Sequence, residues 1–317
     1  MTKIGYFLAC EEFGPLELLN QARMAEEAGF ETFWISDHYH PWTSEQGHSP
    51  FVWSVIGGLS QATSLPVTTG VTCPTIRIHP AIIAQAAATS AVMLEGRFAL
   101  GVGTGENLNE HIFGDRWPPT DVRLEMLEES IEVMRLLWEG GTKSHYGKHY
   151  TVENACVYTL PEEPPPILIS GFGPKAIQLA GRIGDGYCGV APDAELVSLF
   201  RSSGGGDKPV HAGMKVCWGE DEAEARKTAH QLWASELVPG ELSQELPTPA
   251  HYEQAVSLVT EDMVADAIVC GPDPERHLEA IRQYLDAGYD EVYVQQIGPE
   301  QEGFFRFYER EILPKLG

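Results

Sequence analysis

The segment Ser36-Asp37-His38-Tyr39-His40-Pro41-Trp42 follows Phe30-Glu31-Thr32-Phe33-Trp34-Ile35, a mostly apolar or β-branched run that reads as a buried strand. Two further strand-like runs have the same design. One ends in Gly101-Val102-Gly103-Thr104-Gly105-Glu106-Asn107, the other in Leu168-Ile169-Ser170-Gly171-Phe172-Gly173-Pro174. Polar or glycine-rich residues just past the end of a hydrophobic strand mark the catalytic end of a parallel α/β barrel.

The rest of the chain extends that pattern. Strands are expected over Lys3–Ala9, Glu31–Ser36, Pro66–Cys73, Arg97–Val102, Ile167–Ser170, Gly186–Val190, His211–Trp218, Asp266–Cys270 and Glu291–Gln296. Helices are expected between them, among them Pro15–Ala28, Val52–Ala62, Pro80–Leu94, Asp121–Trp138, Lys175–Ile183, Glu220–Leu237 and Pro274–Ala287, with Phe304–Leu316 closing the chain. Residues 140–165 read as an insertion with short β pieces at His149–Val152 and Ala155–Thr159. Residues 238–262 read as a proline-bearing excursion. The alternation runs without a break in composition, so residues 1–317 are expected to form one (β/α)8 TIM-barrel domain with insertions. No G-x-G-x-x-G follows the first strand, which argues against a Rossmann site.

Composition narrows the partners. The formal charge is −25 and the isoelectric point about 4.7, a surface that repels nucleic acid and anionic lipid. No apolar run reaches the roughly 18 residues that span a bilayer, and residues 1–9 lack the design of a signal peptide. A cytoplasmic protein that acts on a small molecule is expected. The six cysteines are scattered, with no C-x-x-C pair, and neither a metal cluster nor H-E-x-x-H is present, so metal catalysis is disfavoured.

Several residues at strand ends suit proton chemistry. His38 follows Asp37, and a histidine beside a carboxylate exchanges protons near neutral pH; the bland reading is a surface-loop histidine. Trp42 can stack on a planar cofactor or simply cover the barrel rim. Glu11 and Glu106 each sit just past a strand, as a general acid/base pair would, although a solvated or helix-capping role fits each as well. The stretch Ser170–Lys175 opens a helix, where unpaired N–H groups and glycines can receive a phosphate; the alternative is an ordinary connection.

Taken in order, these pieces resemble the bacterial-luciferase-like superfamily and, within it, the coenzyme F420-dependent oxidoreductases. The likeness to F420-dependent glucose-6-phosphate dehydrogenases and secondary-alcohol dehydrogenases is strongest in Gly5-Tyr6, Glu11-Glu12-Phe13, Ser36-Asp37-His38, Pro41-Trp42, Pro80–Gln85, Gly101–Glu110 and Gly181–Gly186. The resemblance implies a homodimeric barrel with the deazaflavin F420 at the strand C-termini. It implies that His38 takes the alcohol proton, Trp42 steadies hydride transfer, Glu106 protonates the deazaflavin ring and Glu11 assists. Asp37, Gly70, Val71, Thr104, Gly105 and Asn109 match cofactor-contacting positions, a non-proline cis bond is implied at Gly70–Val71, and Ser170, Gly171, Phe172, Gly173 and Lys175 match the cofactor phosphate loop. The four positions that grip phosphate in the sugar-phosphate branch fall on Val190, Asp193, Ser243 and Ala267. None is cationic, and each lost charge-assisted contact costs about 1.5–3 kcal/mol. An uncharged alcohol or unphosphorylated sugar is therefore expected rather than glucose 6-phosphate. An FMN-dependent monooxygenase and a non-catalytic deazaflavin-binding barrel are the alternatives.

Overall fold

Strand residues alternate between two apolar environments, and that alternation builds the molecule. The computed structural model describes residues 2–316. Its strands are β1 (Lys3–Leu8), β2 (Phe33–Ile35), β3 (Val67–Thr69), β4 (Phe98–Val102), β5 (Lys143–Tyr146), β6 (Thr151–Ala155), β7 (Ile167–Ser170), β8 (Gly186–Gly189), β9 (Val210–Cys217), β10 (Val269–Cys270) and β11 (Glu291–Gln296). Ile4, Tyr6, Leu8, Phe33, Ile35, Val292 and Val294 face outward and pack under the surrounding helices. Trp34, Leu168, Cys188 and Tyr293, with Phe7, Val71 and Ala99, fill the inside. Trp34 lies flat on Tyr293, with ring centroids 4.8 Å apart. Strands buried on both faces read as near-continuous apolar runs, the signature of a parallel sheet.

The sheet runs β11-β1-β2-β3-β4-β7-β8-β9 and closes through parallel β9–β11 pairing. This is the expected (β/α)8 barrel. Two details differ from the expectation. The strand placed at Asp266–Cys270 shrinks to β10, which pairs only with the end of β9, at Val216 and Cys217; Asp266 and Ala267 instead end the helix Glu261–Ala267, which Thr260 caps with its side chain. The β pieces of the insertion fall at β5 and β6, an antiparallel ribbon with an irregular register. Its mostly exposed polar strands carry little periodicity for a sequence reading to detect.

The excursion at 238–262 holds short helices at Leu242–Glu245 and Pro249–Ala255. It docks on the barrel mouth. Val238 and Tyr252 pack with Leu108 beside Trp42, Leu246 and Val256. The fully buried Arg123 donates to Gln244 Oε1 (2.8 Å) and Glu245 Oε1 (3.4 Å) and lies 4.3 Å from the Trp117 ring centroid. Among the described residues no helix is long and apolar enough to cross a membrane.

Candidate active site

The mouth of the barrel gathers residues from β1, β2 and β4. Past β1, Glu11 is buried. Past β2, the Ser36 hydroxyl accepts from Cys10 N (2.9 Å) and donates to Glu11 Oε2 (2.7 Å), which fixes the carboxylate. The other oxygen, Oε1, lies 3.5 Å from His38 Nε2. His38 Nδ1 faces the His40 carbonyl at 3.3 Å. A carbonyl only accepts, so the neutral ring carries its hydrogen on Nδ1 and its lone pair on Nε2. Trp42 meets the His38 ring edge-on at 4.8 Å, and Tyr252 packs edge-on behind Trp42 at 5.3 Å.

Asn109 joins this loop to Glu106. Its Oδ1 accepts from Tyr39 N (2.9 Å) and His40 N (3.0 Å), and its Nδ2 reaches Glu106 Oε2 at 3.4 Å. The strand ends of β2 and β4 are thus held in one hydrogen-bonded frame.

Asp37 points inward. Its carboxylate accepts from Thr72 Oγ1 (2.8 Å) and from Arg77 Nη2 (2.9 Å). Arg77 also donates its backbone N–H and Nε to Glu110, at 2.7 and 3.4 Å. Residue-by-residue reading of the sequence passed over Arg77, Glu110 and Tyr252. A lone arginine among apolar neighbours, Thr75-Ile76-Arg77-Ile78, is the signal that marks the first.

The glycines shape a cradle. Gly70–Val71 is a cis peptide bond. Gly105 has φ +76°, and a Cβ there would sit 2.6 Å from Cys73 Sγ; Thr104 is half-buried beside it. At Gly103 a Cβ would come within 2.9 Å of Val71. Ser170, the last residue of β7, is half-buried, and just past it Gly171 O accepts from Tyr187 OH at 3.0 Å. Gly173 begins the helix Pro174–Ile183 with no side-chain cap, and a Cβ on it would meet open space. The first N–H groups of that helix lack a side-chain acceptor, the arrangement that receives a phosphate or carboxylate. Phe172 is exposed, and the Lys175 ammonium pairs with Asp121 at 2.7 Å on the surface.

The remaining four positions carry no positive charge. Val190 is partly exposed, and its carbonyl accepts from Tyr284 OH at 3.1 Å. Asp193 Oδ1 caps the helix Ala194–Phe200 through Glu195 N and Leu196 N. Ser243 Oγ donates to Gly240 O at 2.9 Å. Ala267 is the exposed last residue of its helix.

Burial pushes two carboxyls up to about 7: Glu110, against the pull of Arg77, and Glu12, against N–H donors from Gly298, Trp233 and Gln295. Both bind protons more tightly folded than unfolded, so the stability they lend is full below the ordinary carboxyl value of 4.5 and is lost as pH rises through about 7. Buried His277, held down at about 4, has the opposite sign, but only below the ordinary histidine value. Between about pH 5 and 7 the two carboxyls outweigh the one histidine, each with a slope of at most about 1.4 kcal/mol per pH unit, and above about pH 7 the effect fades because the folded state has also released both protons. The melting temperature is therefore expected to fall across that window at constant ionic strength, and Glu12→Gln to flatten the fall. A melting temperature that rises with pH there would contradict the assignment.

Such a barrel, with a carboxylate–histidine cluster at its mouth and an uncapped helix beside a glycine cradle, has the build of an enzyme site that can hold a bulky anionic cofactor. The chain belongs to the luciferase-like monooxygenase family, whose model matches residues 2–291. Its relatives include the F420-dependent glucose-6-phosphate dehydrogenase of Microbacterium testaceum, 35% identical over 99% of this chain and 97% of that one. The enzyme of the same name from Amycolatopsis mediterranei is 33% identical over 100% and 99%. Among solved structures, an F420-dependent secondary alcohol dehydrogenase in complex with an F420–acetone adduct superposes with a TM-score of 0.92, at 31% identity, over 100% of this chain and 99% of that one. The family resemblance read from the sequence is thereby borne out.

Proposed function

We propose that this barrel is a coenzyme F420-dependent oxidoreductase that moves hydride between the carbinol carbon of an uncharged alcohol or unphosphorylated sugar and the deazaflavin. The observation that carries the reading is the Ser36–Glu11–His38 chain at the barrel mouth, beside Trp42 and within one hydrogen-bonded frame with Glu106. The relatives' names supply the coenzyme. The glycine cradle and the uncapped helix at Gly173 fit a bulky ring with an anionic tail.

Thr104, Gly105 and Asn109 would hold the ring side, with Gly70 and Val71 behind it, and Ser170–Lys175 the phosphate. When bound, F420 supplies a two-electron hydride acceptor. The chain's own residues manage the protons. An alcohol hydroxyl donates to His38 Nε2, whose lone pair is free because Nδ1–H serves the His40 carbonyl. The imidazolium so formed is stabilised by Glu11 Oε1 at 3.5 Å, and the Ser36 hydroxyl keeps that carboxylate aimed. Glu106, held by Asn109, carries the second proton. Asp37 acts through Arg77 and Thr72, holding the base of the His38 loop.

The substrate reading departs from the relatives named for glucose 6-phosphate. Val190, Asp193, Ser243 and Ala267 offer no ammonium or guanidinium, and Asp193 repels phosphate. Leu16, Phe51, Ile82, Val92 and Met93, all exposed and within residues 15–93, support a homodimer through the first three helices. A cytoplasmic location accords with the acidic composition.

The test mixes purified protein with oxidised F420 and follows its visible band. Bleaching with a neutral alcohol or sugar, and none with glucose 6-phosphate, is the expected result. Bleaching with glucose 6-phosphate would overturn the substrate reading. Absence of F420 binding together with oxygen uptake on reduced FMN would overturn the cofactor.

A further inference from the structure

Inside the barrel, β9 alternates in a way that places a cation at the mouth. Ala212, Met214 and Val216 pack outward under the helices. Gly213 faces inward, where a Cβ would come within 2.9 Å of the Trp34 ring. Lys215, two residues further on, shares that inward face and pairs in register with Gln295 of β11. Ser36, two residues past Trp34 and just beyond the end of β2, keeps the same inward parity.

Lys215 is 14% exposed, and its Nζ lies 2.8 Å from Glu236 Oε2 and 4.5 Å from the centroid of the Trp233 ring. This group is continuous with the catalytic cluster. Trp233 donates its Nε1–H to Glu12, the residue after Glu11. Gln46 ties the carbonyl of Leu232 (3.0 Å) to the backbone N–H of Trp42 (2.8 Å). Gln295 donates its amide to Glu12 at 3.1 Å, yet its Oε1, fully buried, has no partner.

Consider what this set can recognise. The ammonium has three N–H donors, and Glu236 takes one. The carboxylate keeps lone pairs to spare, and the indole gives a flat apolar wall. A donor and an acceptor side by side over an aromatic ring match a hydroxyl, which both gives and accepts, flanked by C–H groups. A monohydroxy alcohol engaged at His38 has no second hydroxyl to offer. A phosphate gains nothing net, because Glu236 already neutralises Lys215 and would repel the dianion.

Resting on the reading of His38 as the alcohol base, we propose that Lys215 and Glu236 are specificity-determining residues that hold a second hydroxyl, so that the substrate is an uncharged polyhydroxylated compound, a sugar or polyol.

The test measures F420 binding by fluorescence quenching, then kcat/KM with D-glucose, xylitol and 2-propanol. The wild-type protein is expected to favour the better of the two polyols over 2-propanol by at least about 100-fold, roughly two hydrogen bonds to charged groups. Lys215→Met and Glu236→Gln are each expected to reduce that ratio tenfold or more. If F420 binds and 2-propanol is oxidised at least as well as either polyol, the inference fails while the site reading stands. It fails likewise if F420 binds and neither polyol is oxidised, or if a folded Lys215→Met protein keeps the wild-type ratio. Absence of F420 binding removes both.

Discussion

Replacing His38 with asparagine is expected to lower kcat for F420 reduction by about 10²–10⁴-fold, the usual contribution of a placed general base, with F420 affinity within about threefold of wild type. The reason is local. The imidazole is the one group that touches both the His40 carbonyl and the Glu11 carboxylate, and only its Nε2 combines a lone pair with a buried counter-charge. Asparagine preserves a polar group of similar reach but cannot take a proton at neutral pH. Ser36→Ala acts through Glu11 rather than on substrate: it frees Oε2 and should shift the pH profile of kcat/KM as the imidazolium loses its oriented partner. Steady-state kinetics from about pH 5 to 9, with fluorescence titration of F420, settle both. A His38→Asn enzyme within tenfold of wild type would remove the histidine from the chemistry.

Arg77→Met should cost about 3–5 kcal/mol of folding stability, the range for removing one partner from a buried ionic cluster. The Arg77, Asp37 and Glu110 side chains are each 5% exposed or less, so the loss strands the Asp37 carboxylate without a counter-charge and leaves Glu110 only the backbone N–H of residue 77 in a low-dielectric interior. Their guanidinium partner is held well charged by the two neighbours despite its burial. Combining Arg77→Met with Asp37→Asn should cost less than the sum of the single changes, because the second substitution removes the stranded charge. Urea denaturation of the three variants is the measurement, and a single-mutant loss under about 1 kcal/mol would contradict the assignment. Asp37 immediately precedes His38 and Glu110 immediately follows Asn109. The same variant should therefore disturb both loops of the site, and kcat should fall further than F420 affinity.

The chain order of the site was legible from local pattern. Strand-then-polar junctions at Ile35-Ser36, Val102-Gly103 and Ile169-Ser170 identify the functional end of a barrel because parallel strands bury both faces and leave only their C-terminal tips for chemistry. The helices from Pro15, Val52 and Pro80 began where proline and apolar spacing placed them. Residues 238–262 were not legible, because two short helices held by long-range contacts through Arg123, Asn107 and Tyr252 have too few turns for a period to emerge.

By itself, the sequence determined the repeated βα unit, the apolar alternation of each strand and the residue types at each strand tip; these depend on neighbours two to four positions away, which a linear reading contains. Only the tertiary structure decided which tips meet. That Glu11 faces His38, that Asn109 joins Glu106 to the His38 loop, that Arg77 sits between Asp37 and Glu110, and that Lys215 stands beside Glu236 and Trp233 are consequences of strand register and barrel closure. Apart from the local Asn109–Glu106 bond, those contacts span 18 to 70 positions of chain, and a buried charge has no local signature of its partner. It becomes tolerable only when closure brings the opposite charge within hydrogen-bonding distance.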